Sequence, residues 1–130
     1  YKCFCIEKKH MQDVVESTGR LSKQISVFIR SHYSEFLDYD DVKIYYDNGQ
    51  VEVSKILSSV FNALLPEVEF RRVSPSQYKL FQAADLFCTM YLLQRKLENS
   101  QLSKSECAFF GNARDLKKNY LKPLSKKEWV

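Results

Sequence analysis

The sequence predicts an α/β fold in the order strand, helix, strand, helix, strand, helix, followed by a helical C-terminal tail. Three observations lead there. Segments of alternating or β-branched character trade places with segments whose apolar residues recur every three or four positions. Gly and Pro number only three each, too few for a loop-rich sandwich. Hydrophobic residues make up 45% and aromatics 14% of the 130 residues, which supplies one sizeable core and excludes a disordered or collagen-like chain.

Tyr1 to Ile6 is short and β-prone, and Glu7-Lys8-Lys9-His10 ends it. Val14, Thr18, Leu21, Ile25, Phe28, Ile29, His32 and Phe36 then follow a helical period, with Gly19 weakening the first turns, so the secure part of the helix is expected from about Leu21 to Leu37. After the polar break Asp38-Tyr39-Asp40-Asp41, Val42 to Tyr46 reads as a strand running into the turn Asp47-Asn48-Gly49. Val53, Ile56, Leu57, Val60, Phe61 and Leu64 step as a helix that Pro66 stops, and Val68 to Val73 alternates as a strand. Ser74-Pro75-Ser76-Gln77 combines a capping hydroxyl, proline at the first helical position and a Gln three residues after the cap, so a helix is expected from Ser74 to about Leu97. That helix is apolar nearly all round, with Phe81, Leu86, Cys88 and Leu92 expected in the core. In the tail, Ser103 to Phe110 and a turn at Gly111-Asn112 precede a basic helix from Ala113 to Leu121 that Pro123 is expected to end. The domain reading is one domain over residues 1–130, with 103–130 as its basic helical tail.

The formal charge is +4, mildly basic and compatible with a phosphate-bearing partner. No apolar run is long enough to cross a bilayer and the first residues lack the pattern of a signal peptide, so a soluble, cytoplasmic chain without a membrane partner is expected. Cys3, Cys5, Cys88 and Cys107 form no C-x-x-C pair, and His10 and His32 have no His partner at helical spacing. They read as buried free thiols in a reducing compartment, against a disulfide framework or a zinc site.

Asp47 and Asp85 are the candidate catalytic and metal-ligating residues. Asp47 stands where an apolar strand runs out, the edge at which α/β sites are built; the competing reading is an ordinary turn residue. Asp85 interrupts an apolar helix, and Tyr78, Gln82, Asp85 and Thr89 fall on one stripe by steps of four, three and four. A buried carboxylate there needs a partner, either a cation or a structural one such as Lys79. Two carboxylates brought together favour a hard cation between them, Mg²⁺ or Mn²⁺, which activates water and stabilises a phosphoryl leaving group. Glu52 and Asp41 are outer-ligand candidates, and Lys55, Arg71, Arg72 and Lys79 candidates for holding phosphates; solvated surface charges are the competing reading for all of these.

The segments Ile44-Tyr45-Tyr46-Asp47-Asn48-Gly49, Val73-Ser74-Pro75-Ser76 and Leu80-Phe81-Gln82-Ala83-Ala84-Asp85-Leu86 give the chain a resemblance to the C-terminal half of the bacterial and phage family known as domain of unknown function 3800. The resemblance covers about residues 42–97. It implies a ribonuclease H-like fold, Asp47 and Asp85 at acidic metal positions, and Gln82 at the motif's Gln; Gln82, Lys79 and Ser76 are the substrate-binding candidates. The family pattern opens with a strand ending in an Asp-Glu-Ser-Gly-type motif that nothing before residue 42 resembles, so the domain is expected to lack its N-terminal acidic strand. The functional expectation is a metal-dependent nuclease or phosphodiesterase with a nucleic-acid substrate; the alternative is a non-catalytic interaction module that keeps the fold. With only two carboxylates nominated, these residues alone are expected to be inactive. The edge of the Asp47 strand is expected to be filled by Tyr1 to Ile6, by upstream residues, or by a second copy in a homo-oligomer.

Overall fold

The computed structural model describes residues 1–7, 9, 13–47, 49 and 51–130. Lys8 and His10 of the charged strand terminator and Asn48 of the strand-end turn lie outside them. The chain divides into two compact units, Phe4–Tyr78 and a second made of Tyr1–Cys3 with Lys79–Val130.

The first unit holds helix α1 (Val14–Ser31), the short α2 (Tyr33–Leu37), strand β1 (Val42–Asp47), α3 (Val51–Leu64) and β2 (Val68–Val73). β1 and β2 pair in parallel, Val42 opposite Val68 through Asp47 opposite Val73, with α3 as the crossover between them. The α/β expectation therefore holds, with two strands among the described residues. Side chains of a strand alternate between faces. Val42 and Val68 pack on the core of Ile25, Ile29, Ile56, Val60 and Leu65, which leaves Lys43, Tyr45, Asp47, Glu69 and Arg71 on the opposite face of the sheet.

Three expectations for residues 1–37 are corrected. Helix α1 begins at Val14, seven residues earlier than expected, because the Asp13 carboxylate accepts from the Glu16 N–H at 2.8 Å and Arg20 pairs with Glu16 at 2.7 Å. A good cap is worth about 1 kcal/mol and offsets the similar penalty of Gly19. The helix is interrupted at His32 and resumes as α2. Tyr1 to Ile6 forms no strand. The Cys5 carbonyl, which a ladder would use, accepts instead from Gln24 Nε2 at 3.1 Å, and the Phe4 ring packs edge-on to Phe28.

In the second unit α4 (Lys79–Glu98) is followed by α5 (Lys104–Phe109), α6 (Ala113–Asp115), a π-helical turn (Leu116–Leu121) and α7 (Lys122–Ser125). Its core is Leu93, Leu116 and Leu121, flanked by Met90, Leu97, Leu102 and Phe110. The expected start of α4 at Ser74 is corrected. Pro75–Gln77 make a single 3₁₀ turn, the Ser74 hydroxyl meets the Ser76 hydroxyl at 3.1 Å instead of capping, and Tyr78 is extended. The expected burial of α4 is corrected too. Phe81 is half-buried, Leu86, Cys88 and Leu92 are exposed, and Leu93 is its one buried residue. Within its own unit the C-terminal half of α4 meets the leucines of the π turn and Phe87 stacks on Tyr1 at 4.6 Å, which leaves Leu80, Leu86 and Leu92 exposed. Pro123 does not end the tail helix. The Lys122 N–H already reaches five residues back to the Lys117 carbonyl, and in so wide a turn a residue without an N–H breaks no ordinary bond.

The reading of four buried thiols holds for Cys3 alone; Cys5 and Cys88 are exposed and Cys107 is half-buried, all of them free. Burial, then the neighbouring Cys88, pushes the Cys3 thiol up to about 12. Since the thiolate is the nucleophile, Cys3 stays unreactive near neutral pH and gains reactivity only as pH climbs toward that value. Alkylation at mildly alkaline pH followed by mass spectrometry is expected to modify Cys5 and Cys88 in the folded protein and Cys3 only after urea unfolding. Equal native labelling of Cys3 and Cys5 would show the Cys3 site to be open.

Candidate functional site

Asp47 closes β1 in register with Val73, so both parallel strands deliver their carboxyl ends to one edge. It is half-buried, and its Oδ1 accepts from the Gly49 N–H at 3.4 Å. The side chain thus closes the turn after β1, as the turn reading of the sequence requires, and does so with one oxygen of two.

On the same face of the sheet, one step back along β1, the Tyr45 ring stacks on Tyr78 at 4.5 Å between centroids, with 20° between planes. A hydrogen bond from the Tyr78 hydroxyl holds the Tyr45 phenol below its usual pKa, with the Arg71 guanidinium adding to the effect, and the same bond raises Tyr78. Arg71 is in turn paired with Glu69 at 2.6 Å, which lowers the Glu69 carboxyl and raises Arg71. Sequence reasoning missed this cluster. The alternation of Lys43, Tyr45 and Asp47 along β1 was the available signal, but the register that sets Tyr45 opposite Arg71 was not.

Tyr78 accordingly leaves the stripe assigned to it: it is extended and belongs to the first unit, and its stacking on Tyr45 accounts for the late start of α4. Gln82, Asp85 and Thr89 remain at three- and four-residue steps on α4, and all are exposed. An exposed Asp85 keeps its hydration, so the burial argument for a compensating partner no longer applies to it. Lys79 is the first residue of α4 and is exposed, as is Ser76 in the 3₁₀ turn. Asp47 and Ser76 fall in the first unit, Lys79, Gln82 and Asp85 in the second.

Of the outer candidates, Glu52 pairs with Lys55 at 3.7 Å on the surface, Asp41 and Arg72 are exposed, and Arg71 serves Glu69. Among the described residues no group of three or more His, Cys, Asp or Glu is arranged to hold a metal ion. Asp47 and Asp85 fit Mg²⁺ or Mn²⁺ in donor type, as hard carboxylate oxygens, and fall short in number.

Comparison of the chain with protein-family models, with curated proteins and with solved structures finds no match. No helix among the described residues is long and apolar enough to cross a membrane. The functional reading therefore rests on the residues themselves.

Proposed function

We propose that the chain is a ribonuclease H-like, metal-dependent phosphodiester-cleaving domain of the kind its motifs resemble. The observation that carries the reading is the placement of Asp47 at the carboxyl end of β1 in a parallel strand–helix–strand unit, where α/β sites collect ligands. Asp47 on the first unit and Asp85 on the second are its candidate ligands for Mg²⁺ or Mn²⁺, each a hard carboxylate donor. The ion, when bound, supplies an activated water and stabilises charge on the leaving oxygen. Lys79 and Ser76 would hold phosphate oxygens, Lys79 as a point charge and Ser76 through its hydroxyl, and Gln82 would orient a ligand or the substrate on the same face of α4 as Asp85.

A second reading, a non-catalytic interaction module, draws on α4. Leu80, Leu86 and Leu92 are 72%, 53% and 48% exposed and lie around the helix rather than on one side of it. A helix that is apolar on every side is ordinarily buried, so leucines exposed all round α4 leave area for another chain to cover.

Metal-dependent stability separates the two. Two carboxylates bind a divalent ion weakly, and an ion with a Kd of about 1 mM supplied at about 10 mM stabilises by roughly 1.4 kcal/mol. Wild-type protein is therefore expected to melt several degrees higher in Mn²⁺ than in chelator, and Asp85→Asn and Asp47→Asn are each expected to abolish the difference. Asn at 47 keeps the oxygen that accepts from Gly49 while losing the charge, so the fold is retained. No Mn²⁺-dependent stabilisation in wild type, or an undiminished one in both variants, overturns the metal site and leaves the interaction module.

A further inference from the structure

The surplus charge of the chain is concentrated in one short stretch. From Ala113 to Glu128 there are six cations, Arg114, Lys117, Lys118, Lys122, Lys126 and Lys127, against two carboxylates, a surplus equal to the +4 of the whole chain. All six cations are exposed, and none is ion-paired among the described residues. The two carboxylates are occupied: Asp115 accepts from Asn112 Nδ2 at 2.8 Å, and Glu128 pairs with Lys2 at 3.1 Å.

Arg114, Lys118, Lys122 and Lys126 recur every four residues. In an α-helix a four-residue step overshoots the full turn by about 40°, so such a row winds around the axis. The wide turn from Leu116 to Leu121 takes up part of that drift. All four side chains are exposed, while Leu116 and Leu121 are buried in the cluster with Leu93. Each step rises about 6 Å, giving a row of roughly 18 Å. A groove of about 570 Å³ runs along one side, with Leu97 and Leu121 in its wall, Arg114, Lys117 and Lys122 beside them, and on the α4 side Glu98, which is bonded to Gln94 and Arg95. A second, of about 480 Å³, lies among Lys118, Lys122, Lys126 and Lys127, so Lys122 borders both.

The geometry points to this row as a surface that grips the sugar–phosphate backbone of a nucleic-acid duplex without reading its sequence. The inference deepens the proposed function by naming the surface that holds the substrate, and it rests on that reading only for the choice of nucleic acid as the polyanion. Regularly spaced, unpaired cations match a polyanion of regular charge. An anionic membrane fits less well, because surface-lying helices insert an apolar side and Leu116 and Leu121 are spent on the core. A single strand fits less well too. Unpaired bases stack on successive exposed aromatics, and this stretch offers one, Tyr120, 43% exposed and packed edge-on to Phe110 at 5.1 Å.

The test is binding of a labelled mixed-sequence DNA duplex in chelator, followed by fluorescence anisotropy between about 50 and 200 mM salt. Wild type is expected to bind with a steep salt dependence. The variant Lys118→Gln/Lys122→Gln/Lys126→Gln is expected to bind about tenfold or more weaker, with the slope of log K against log salt reduced by about 2.7, or 0.9 per lost phosphate contact. Arg30→Gln, at an exposed position of α1, leaves both unchanged. Absence of duplex binding, a wild-type slope in the triple variant, or tighter binding to phosphatidylcholine–phosphatidylserine vesicles than to duplex each overturns the inference. Because the chelator removes the ion, duplex binding without Mn²⁺-dependent stabilisation keeps this surface and removes the metal site. The reverse pattern keeps the metal site and removes the surface.

Discussion

Ile29→Ala is expected to destabilise the Phe4–Tyr78 unit by about 3–5 kcal/mol, the upper part of the range for truncating a buried aliphatic side chain. Ile29 has no exposed surface at all, and it packs with Ile25, Ile56, Val60 and Leu65 in the cluster that joins α1, α3 and the end of α3 to the sheet. Three methylene-sized groups would leave a void lined by residues of two helices and a parallel strand pair, none of which can close in without disturbing the others. The same substitution at Val27, two residues away on α1 and 55% exposed, is expected to change stability by less than about 0.5 kcal/mol. Urea unfolding followed by far-ultraviolet circular dichroism compares the two. A loss at position 29 no larger than that at 27 would show that α1 does not close the core.

The helical period that singles out Ile25 and Ile29 is legible in the sequence because it depends only on spacing along one element. The strands β1 and β2 and the stop at Pro66 were legible for the same reason, since β-branched residues, alternation and a missing N–H are local properties. The failures occur where a second element decides. The hydrophobicity of α4 predicts burial, but burial needs partners; within the unit Leu93 with its flanking residues finds them and Phe87 stacks on Tyr1, while Leu80, Leu86 and Leu92 stay exposed. Tyr78 was placed on the α4 stripe by counting residues, and its stacking on Tyr45 removes it from the helix. Asp13, whose carboxylate starts α1, lies just ahead of the apolar pattern, and its capping bond depends on the local path of the chain rather than on the period. For the candidate site, the position of Asp47 at a strand end was readable from the residues around it, whereas its hydrogen bond to Gly49 and the Tyr45–Arg71 pairing across the sheet depend on turn geometry and register.

Leu116→Ala is expected to show how far the basic surface depends on the core beneath it. Leu116 is 1% exposed, begins the π turn, and packs with Leu93 and Leu121. Its truncation is expected to remove about 2–5 kcal/mol from the second unit. The consequence reaches beyond stability. α6 and α7 are only three and four residues long, too short to persist in isolation, so the row from Arg114 to Lys126 is regular only while Leu116 and Leu121 hold the stretch against α4. With all six cations still present, the variant is expected to retain the charge that attracts a duplex and to lose the fixed spacing that engages several phosphates at once. Near its unfolding midpoint it should bind the DNA duplex more weakly than wild type, with a shallower salt slope, while at temperatures where the unit is still folded the two should agree. Wild-type slope and affinity in a Leu116→Ala protein whose second unit has demonstrably melted would show that charge alone binds the duplex and that the helical arrangement contributes nothing.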